Sequence, residues 1–361
     1  MKIKLKRSAK FVLVIFVLLI FFAVLFEGFS SFIIFLGDLT FKPARAEEVH
    51  TEYDDLLGWV NIPNTYVEDM YADDVYLKIN SQGFRNNKDF GVEVPEGKKR
   101  IICSGDSMTL GYGVDNDNTW CQWINRIDED FETVNMGQGG YGVDQAYLWY
   151  KRDGINLDHD VQIFAFITRD FDRMKSDNFH GYPKPVLSFE NSRIEVGNIP
   201  VPKDISFLPF LIRENSNAIK GLRTFKLAQG VSKIIFGHEQ AFVDSRIGEY
   251  GELVLAVFGE LNELNKQKGS RLILLYLPMP ADFDNVEISN EWRNYIQTAA
   301  EKNGWLYIDL IQEFNKLSPR LRENMFIREG EIDYPGATGH FNEKGNEYVA
   351  GLLYQKIKDL F

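Results

Sequence analysis

A serine in a strand-to-turn pattern is the first candidate for chemistry in this sequence. Ser107 lies in the run IICSGDSMTLGYGV, in which an apolar stretch leads into glycines. A serine at such a turn can act as a nucleophile when a histidine takes its proton. The Gly-x-Ser-x-Gly elbow would need a glycine where Thr109 stands, so Ser107 is either a nucleophile of another kind or a plain turn residue.

The chain has five histidines that could serve as the base, and one of them has a suitable position. They are His50, His159, His180, His238 and His340. His340 lies in TGHFNEKGNEYVAGLLYQKI, directly before the last amphipathic helix. Every strand-to-helix loop of a parallel sheet emerges at one edge, so a histidine after the final strand lies at the edge that holds Ser107. We therefore pair His340 with Ser107; considered alone, it would more simply be a helix cap or a surface residue.

The elements that must position these two residues follow from the apolar pattern after residue 98. Buried strands are predicted at 100–104, 133–137, 161–168, 271–278 and 305–310. Helices are predicted between them at 118–130, 143–152, 247–267 and 291–303. Short apolar runs that alternate with helices indicate an α/β fold with a parallel sheet covered on both faces.

Two segments do not follow this alternation. Residues 37–98 carry short alternating runs broken by Pro, Asn and Gly, which predict a linker with short antiparallel strands. Residues 175–240 begin with a predicted hairpin, PVLSF then RIEVG, and we interpret them as a lid-like insertion above the sheet edge. The predicted organisation is a basic tip and membrane anchor at 1–36, a linker at 37–98 and a catalytic domain at 99–361 with its insertion at 175–240.

The N-terminal residues predict a membrane anchor. Residues 11–26 are wholly apolar, and after Glu27 the apolar pattern resumes to residue 36. As a helix, residues 11–36 would span about 39 Å at ~1.5 Å per residue, which is enough for a bilayer core of ~30 Å. The basic residues before this stretch predict a cytoplasmic N-terminus and an extracytoplasmic body. A cleaved signal peptide, with Ala44 and Ala46 at the cleavage site, is the alternative and also exports the body.

Charge and cysteine content argue against several kinds of partner. With a formal net charge of −12 the chain repels phosphate backbones, so we expect no nucleic-acid partner. Cys103 and Cys121 form neither a CxxC motif nor a cysteine–histidine cluster, so no zinc site is predicted. A GxGxxG motif is also missing, and a dinucleotide cofactor is unsupported. Export permits a disulfide between the two cysteines, although two buried free thiols are the simpler interpretation.

Several blocks taken together resemble a known family. CSGDSMTLGYGV, then NMGQGGYGVDQ, a central strand that ends in an aspartate, and a histidine ahead of the last helix are similar to the SGNH (GDSL-type) hydrolases. The resemblance covers residues 99–361 apart from the insertion. It implies a flavodoxin-like, three-layer α/β/α fold and an enzyme that acts on esters, often acyl groups on lipids or polysaccharides, without a metal or organic cofactor.

The resemblance also implies roles for individual residues. Ser107 would be the nucleophile, with its own backbone N–H as one donor of the oxyanion hole, and Asp106 the aspartate of the same block. In NMGQGGYG, Gly140 matches the family glycine whose N–H also faces the oxyanion. Such donors must already point at the oxygen that gains charge, and glycine permits the close approach.

The sequence departs from the family pattern at two positions. The asparagine of the third block is replaced by Arg169, in FITRDFDRM. Its guanidinium could stabilise the oxyanion, hold an anionic part of the substrate, or pair with Asp170 or Asp172 instead. The position three residues before His340, usually the acid, is Ala337, so Asp333 is the nearest candidate to orient the imidazole. A dyad oriented by a backbone carbonyl is the alternative.

The sequence therefore predicts a membrane-anchored, extracytoplasmic serine esterase that hydrolyses an O-acyl ester, on an envelope polysaccharide or lipid, through an acyl-enzyme on Ser107. If a sugar hydroxyl replaces water, the same residues make an O-acyltransferase that modifies an envelope polysaccharide. The two departures leave a third alternative open, a catalytically inactive domain that binds carbohydrate or a partner protein.

Overall fold

The computed structural model describes most of the chain, namely residues 2–40, 47–203, 224, 227–228, 231, 247–248, 250–284, 286–334 and 336–360. The chain divides into two compact units, Met1–Ala44 with Asp204–Phe242, and Arg45–Lys203 with Val243–Phe361. Much of the insertion predicted at 175–240 lies outside the described residues. Its boundaries, and those of the predicted linker at 37–98, stay predictions.

The first unit is described mainly by one helix, Lys2–Thr40. Its stretch Lys10–Leu36, with a mean hydropathy of 2.9, is long and apolar enough to cross a membrane. This extent agrees with the span predicted at residues 11–36. Within the helix, the Glu27 carboxylate accepts hydrogen bonds from the N–H and the hydroxyl of Thr224, both at 3.0 Å.

The second unit contains the strands. In chain order these are β1 (Thr51–Asp54), β2 (Gly58–Asn61), β3 (Tyr66–Ala72), β4 (Val75–Lys78), β5 (Lys99–Gly105), β6 (Phe131–Gly137), β7 (Val161–Phe166), β8 (Asn178–Phe179), β9 (Tyr182–Pro183), β10 (Val186–Glu190), β11 (Arg193–Gly197), β12 (Arg271–Tyr276) and β13 (Leu306–Asp309). The helices of this unit are Ser107–Leu110, Trp120–Ile127, Val143–Arg152, Thr168–Arg173, Tyr250–Lys268, Ala281–Asp284, Val286–Asn303, Ile311–Asn315, Pro319–Glu323 and Glu343–Ile357, with short 3₁₀ turns at Asn116–Asn118, Gly154–Asn156 and Lys358–Leu360.

The five predicted core strands form one parallel sheet in the order β6-β5-β7-β12-β13. Numbered along the chain, this is the 2-1-3-4-5 order of flavodoxin-like folds, so the predicted fold class is confirmed. Successive residues of one strand point to opposite faces of the sheet. Ile163 packs into the hydrophobic cluster on one face, and Phe164 packs into the cluster on the other face. Helices cover both faces, which explains why these strands read as continuous apolar runs.

Most predicted helices match closely, and one begins earlier than predicted. The helix predicted at 143–152 is Val143–Arg152, whereas the helix predicted at 291–303 is Val286–Asn303. The additional residues read VEISN, and the polar pair Ser289 and Asn290 directly before the predicted start interrupts the apolar pattern on which the prediction depended. The predicted hairpin at the start of the insertion is present as the antiparallel pair β10–β11.

The two cysteines form a disulfide, contrary to the interpretation as free thiols. Cys103 on β5 and Cys121 on the helix Trp120–Ile127 are bonded, with Cα atoms 6.2 Å apart and both side chains fully buried. The two residues lie on adjacent elements, a strand and the following helix, and this placement brings them within bonding distance. The bond joins β5, the strand that leads to Ser107, to the helix beside it.

The segment before the sheet packs on the turn that follows Ser107. It forms the antiparallel pairs β1–β2 and β3–β4, as predicted for short strands. Arg85, fully buried, donates hydrogen bonds to the carbonyls of Leu110 and Gly111, both at 2.6 Å, and to the Asn116 side chain at 3.0 Å. These bonds fix the loop that follows Ser107.

Candidate active site

Ser107 begins a short helix immediately after β5. Asp106 caps this helix, because its Oδ1 accepts a hydrogen bond from the N–H of Met108 at 2.9 Å. The turn is tight: a Cβ on Gly105 would lie 2.3 Å from Oγ1 of Thr109 and 2.8 Å from the carbonyl oxygen of Ala165. Thr109 thus packs against a required glycine two residues before the serine. The turn holds Ser107 with only 3% of its surface exposed.

His340 lies against Ser107 at the carboxyl edge of the sheet. Its Nε2 is 2.7 Å from Oγ of Ser107, although 233 positions separate the two residues along the chain. Its Nδ1 is 3.1 Å from the carbonyl oxygen of Ala337. Because a carbonyl only accepts hydrogen bonds, Nδ1 carries the proton and Nε2 is free to accept one from the serine. The structure therefore brings together the two residues paired in the sequence.

Burial keeps the imidazole neutral. It lowers the pKa of His340 to about 4, and the charge of Arg173 acts in the same direction. The carboxylate of Asp106 and the hydrogen bond to Ala337 oppose this shift. A neutral imidazole beside a serine hydroxyl is the protonation state that a general base requires at neutral pH.

The two backbone N–H groups expected to face an oxyanion lie in the turns after β5 and β6. Among the described residues, neither the N–H of Ser107 nor that of Gly140 has a hydrogen-bond partner. Gly140 has φ of +74°, a conformation that favours glycine. β2 fixes this turn, because Nε1 of Trp59 donates to the carbonyl of Gly139 at 3.0 Å and the Tyr141 hydroxyl donates to the carbonyl of Trp59.

Arg173, rather than Arg169, is the arginine beside the turn that contains Asp106 and Ser107. Arg169 is exposed, and its charge acts on Asp172, one of the two partners anticipated for it. Arg173 lies one turn further along the same helix and is mostly buried. Its Nη1 donates to Oδ2 of Asp106 at 3.2 Å, to Oδ1 of Asp170 at 2.6 Å and to the carbonyl of Tyr141 at 2.8 Å.

Two buried carboxyl groups surround this guanidinium. The side chains of Asp106 and Asp170 are only 1% and 2% exposed. Burial and the neighbouring Asp106 carboxylate raise the pKa of Asp170 well above its usual range, while Arg173 lowers it. Arg173 is the cationic partner of both carboxyl groups, and its charge balances the negative charge that they carry when ionised. Asp170 and Arg173 stand three positions apart on one helix, and this spacing is the signal in the sequence that could have identified the pair.

Asp333, the predicted acid, is not brought to His340. It is exposed, and the Nδ1 atom that it was expected to orient is bonded to the carbonyl of Ala337. The loop instead turns at Ala337, whose carbonyl also accepts the N–H of His340 at 3.0 Å. A carbonyl contributes an acceptor from any residue type, so no side chain in the sequence indicates it. The arrangement corresponds to the alternative of a dyad with a carbonyl orienter.

Sequence reasoning missed Glu47 and Tyr112. The buried Glu47 carboxylate accepts a hydrogen bond from the hydroxyl of Tyr112, whose ring centroid is 4.9 Å from that of the His340 imidazole. Burial raises the pKa of Glu47, opposed by the Tyr112 hydroxyl and by the positive charge of Arg173. A single glutamate in an irregular segment carries no signal of this placement. Within the described ranges, no group of three or more His, Cys, Asp or Glu side chains could hold a metal ion.

The chain is similar, at low identity, to several solved structures. They include a member of the lipolytic protein G-D-S-L family from Veillonella parvula (14% identity, 72% of this chain and 97% of that chain covered, TM-score 0.39). A lipase/acylhydrolase from Enterococcus faecalis has 13% identity, coverage of 72% and 96%, and a TM-score of 0.41. The acetyl xylan esterase AlAXEase has 13% identity, coverage of 72% and 99%, and a TM-score of 0.39.

No protein-family model matches the chain, and no curated protein sequence matches it.

Proposed function

We propose that this chain is a serine ester hydrolase of the SGNH type, with Ser107 as nucleophile and His340 as general base. The contact of 2.7 Å between Oγ of Ser107 and Nε2 of His340 carries the proposal. The buried neutral imidazole and the carbonyl of Ala337 on its other nitrogen support it, because together they leave Nε2 ready to take a proton.

The proposed reaction proceeds through an acyl-enzyme. Oγ of Ser107 attacks the ester carbonyl carbon as its proton passes to Nε2 of His340. The oxyanion is held by the N–H groups of Ser107 and Gly140. When the carbon–oxygen bond to the alcohol breaks, Nε2 returns the proton to the leaving oxygen. A water molecule then attacks the acyl-enzyme by the same steps and releases the acid.

Arg173 is a positioning residue in this scheme. It binds Asp106, which caps the helix that begins with Ser107, and the carbonyl of Tyr141, which follows Gly140. One guanidinium thereby connects the two backbone segments that supply the proposed oxyanion donors. Its charge also offsets the two carboxyl groups next to the developing oxyanion.

The arrangement of the dyad argues against an inactive binding domain, because such a domain has no need for a serine hydroxyl against a buried neutral imidazole. The test is incubation of the purified chain with an acetyl ester, with and without an envelope-type oligosaccharide. Free acetate in both mixtures supports hydrolysis, and acylated sugar supports the alternative of O-acyl transfer. If wild type forms neither free acetate nor acylated sugar, both activities are contradicted.

We further propose that the second unit is extracytoplasmic and tethered by the helix containing Lys10–Leu36. The basic residues before this stretch favour a cytoplasmic N-terminus. The Cys103–Cys121 disulfide supports an oxidising compartment. Protease added to sealed right-side-out vesicles that contain the full chain should digest the second unit and spare an N-terminal tag; protection of the whole chain would contradict this topology.

A further inference from the structure

A continuous series of contacts leads from His340 through neighbouring residues to Asp106, next to Ser107. Starting from His340, the imidazole packs on Tyr112, whose hydroxyl donates to Glu47. The Glu47 carboxylate lies against Gly139: a Cβ built on that glycine would be 2.3 Å from Oε1 of Glu47 and 2.0 Å from the hydroxyl oxygen of Tyr112. This part of the series of contacts therefore reaches Gly139, the residue directly before Gly140.

The series of contacts continues through Phe179, which connects Gly140 to Arg173. A Cβ on Gly140 would lie 2.4 Å from Cε1 of Phe179, so the ring is already in contact with the glycine backbone. The guanidinium carbon of Arg173 lies 5.2 Å from the centroid of the same ring, and Arg173 binds Asp106 next to Ser107. The contacts thus return to the nucleophile.

Two side chains in this series, Glu47 and Phe179, come from outside the strand-to-helix loops. Glu47 belongs to the segment before β1, and Phe179 belongs to β8 in the insertion. Phe179 is held in place, since its ring stacks on Trp59 at 6.2 Å. Ser107 and His340 retain 3% and 8% exposure beside this series of contacts. The space next to the proposed oxyanion donors is therefore small on both sides.

We propose that Glu47 and Phe179 are specificity-determining residues that restrict the enzyme to short acyl groups of acetyl size. This inference depends on the proposed esterase function. An ester places its acyl chain and its alcohol on opposite sides of the attacked carbon, and only one of them can extend out of the enclosure. The larger alcohol extends outward, and the acyl group lies against Phe179 and the Glu47–Tyr112 pair. A long chain would have to displace packed aromatic carbon or bury methylenes against a carboxylate.

The experiment measures kcat/KM of the full chain on the nitrophenyl esters of acetate, butyrate and octanoate. Wild type should prefer acetate to octanoate by about a hundredfold. Phe179→Ala and Glu47→Ala should each raise the octanoate-to-acetate ratio by about tenfold. The matched controls are Phe189→Ala on β10 and Glu52→Ala on β1, both exposed, and they should leave this ratio within about twofold of wild type.

The outcomes separate this inference from the function on which it depends. Wild-type rates that are equal on all three esters, or that increase with chain length, overturn the short-acyl inference and leave the esterase in place. Unchanged ratios in both Phe179→Ala and Glu47→Ala overturn the assignment of these two residues. Failure of wild type to hydrolyse any of the three esters overturns the proposed function and the inference together. The comparison of the three esters with wild type does not depend on whether any variant folds.

Discussion

The carbonyl oxygen of Ala337 lies 3.1 Å from Nδ1 of His340, in the place where a triad would put a carboxylate. This bond fixes the ring and the tautomer, but it adds no negative charge beside the imidazolium that would form in the proposed reaction. The site is thus organised as a dyad, and its measurable properties should differ from those of a triad.

Replacement of Asp333 by asparagine should leave kcat/KM within about threefold of wild type, because this exposed carboxyl does not orient the imidazole. Ester hydrolysis at neutral pH is the measurement. His340→Ala is the matched loss-of-function control and should reduce kcat by about a thousandfold or more. A loss of activity in Asp333→Asn comparable to that in His340→Ala would contradict the dyad and support a triad that includes Asp333.

The loss of activity on the acid side of the pH profile should occur at an unusually low pH. The pKa of His340 is lowered to about 4 by burial, and the base works only when it is unprotonated. Activity should therefore persist as the pH falls below the ordinary imidazole range, and kcat/KM should decline only as the pH approaches about 4. The profile is measured with a neutral ester whose own ionisation does not intervene. Half-maximal activity near pH 6.5 would contradict a buried neutral base.

Arg173→Met and Arg169→Met should have very different effects. Loss of Arg173 leaves Asp106 and Asp170 buried without a cationic partner, which should lower the free energy of unfolding by ~3–5 kcal/mol and reduce ester hydrolysis. Arg169 is exposed, and its replacement should change stability by no more than about 0.5 kcal/mol. Urea unfolding and kcat/KM give the two readouts. Equal effects of the two variants would refute the assignment to Arg173.

Removal of the disulfide should destabilise the second unit. Cys103 and Cys121 are 18 positions apart, and closing a loop of this size stabilises a fold by ~3 kcal/mol in the chain-entropy account. The Cys103→Ala/Cys121→Ala double variant should therefore melt about 6–12 °C below wild type. Thiol counting by mass spectrometry on the oxidised wild type is the control. Two free thiols in that control, or an unchanged Tm in the variant, would contradict the bond.

The sheet and the dyad could be predicted because their signals are local. Continuous apolar runs such as Val161–Phe166 follow from burial on both faces, and the alternation with helices gives the parallel arrangement. Once the sheet is parallel, its geometry places the loop of His340 at the same edge as Ser107. This argument needed only the order of the elements along the chain.

The remaining parts of the site could not be predicted because they depend on tertiary placement. Ala337 acts through its backbone, which every residue has, so its type gives no indication. Glu47 reaches Tyr112 from a segment without regular structure, 65 positions away. Arg173 and Arg169 stand on one short helix, and only the packing of that helix determines which of them is buried.

The central claim, that Ser107 is an activated nucleophile, is tested most directly by labelling with a fluorophosphonate probe at neutral pH. Such probes react with a serine whose hydroxyl is activated by a base. Wild type should be labelled, with the modified peptide containing Ser107, and both Ser107→Ala and His340→Ala should remain unlabelled. An unlabelled wild type, or a Ser107→Ala variant labelled as strongly as wild type, would contradict the proposed function.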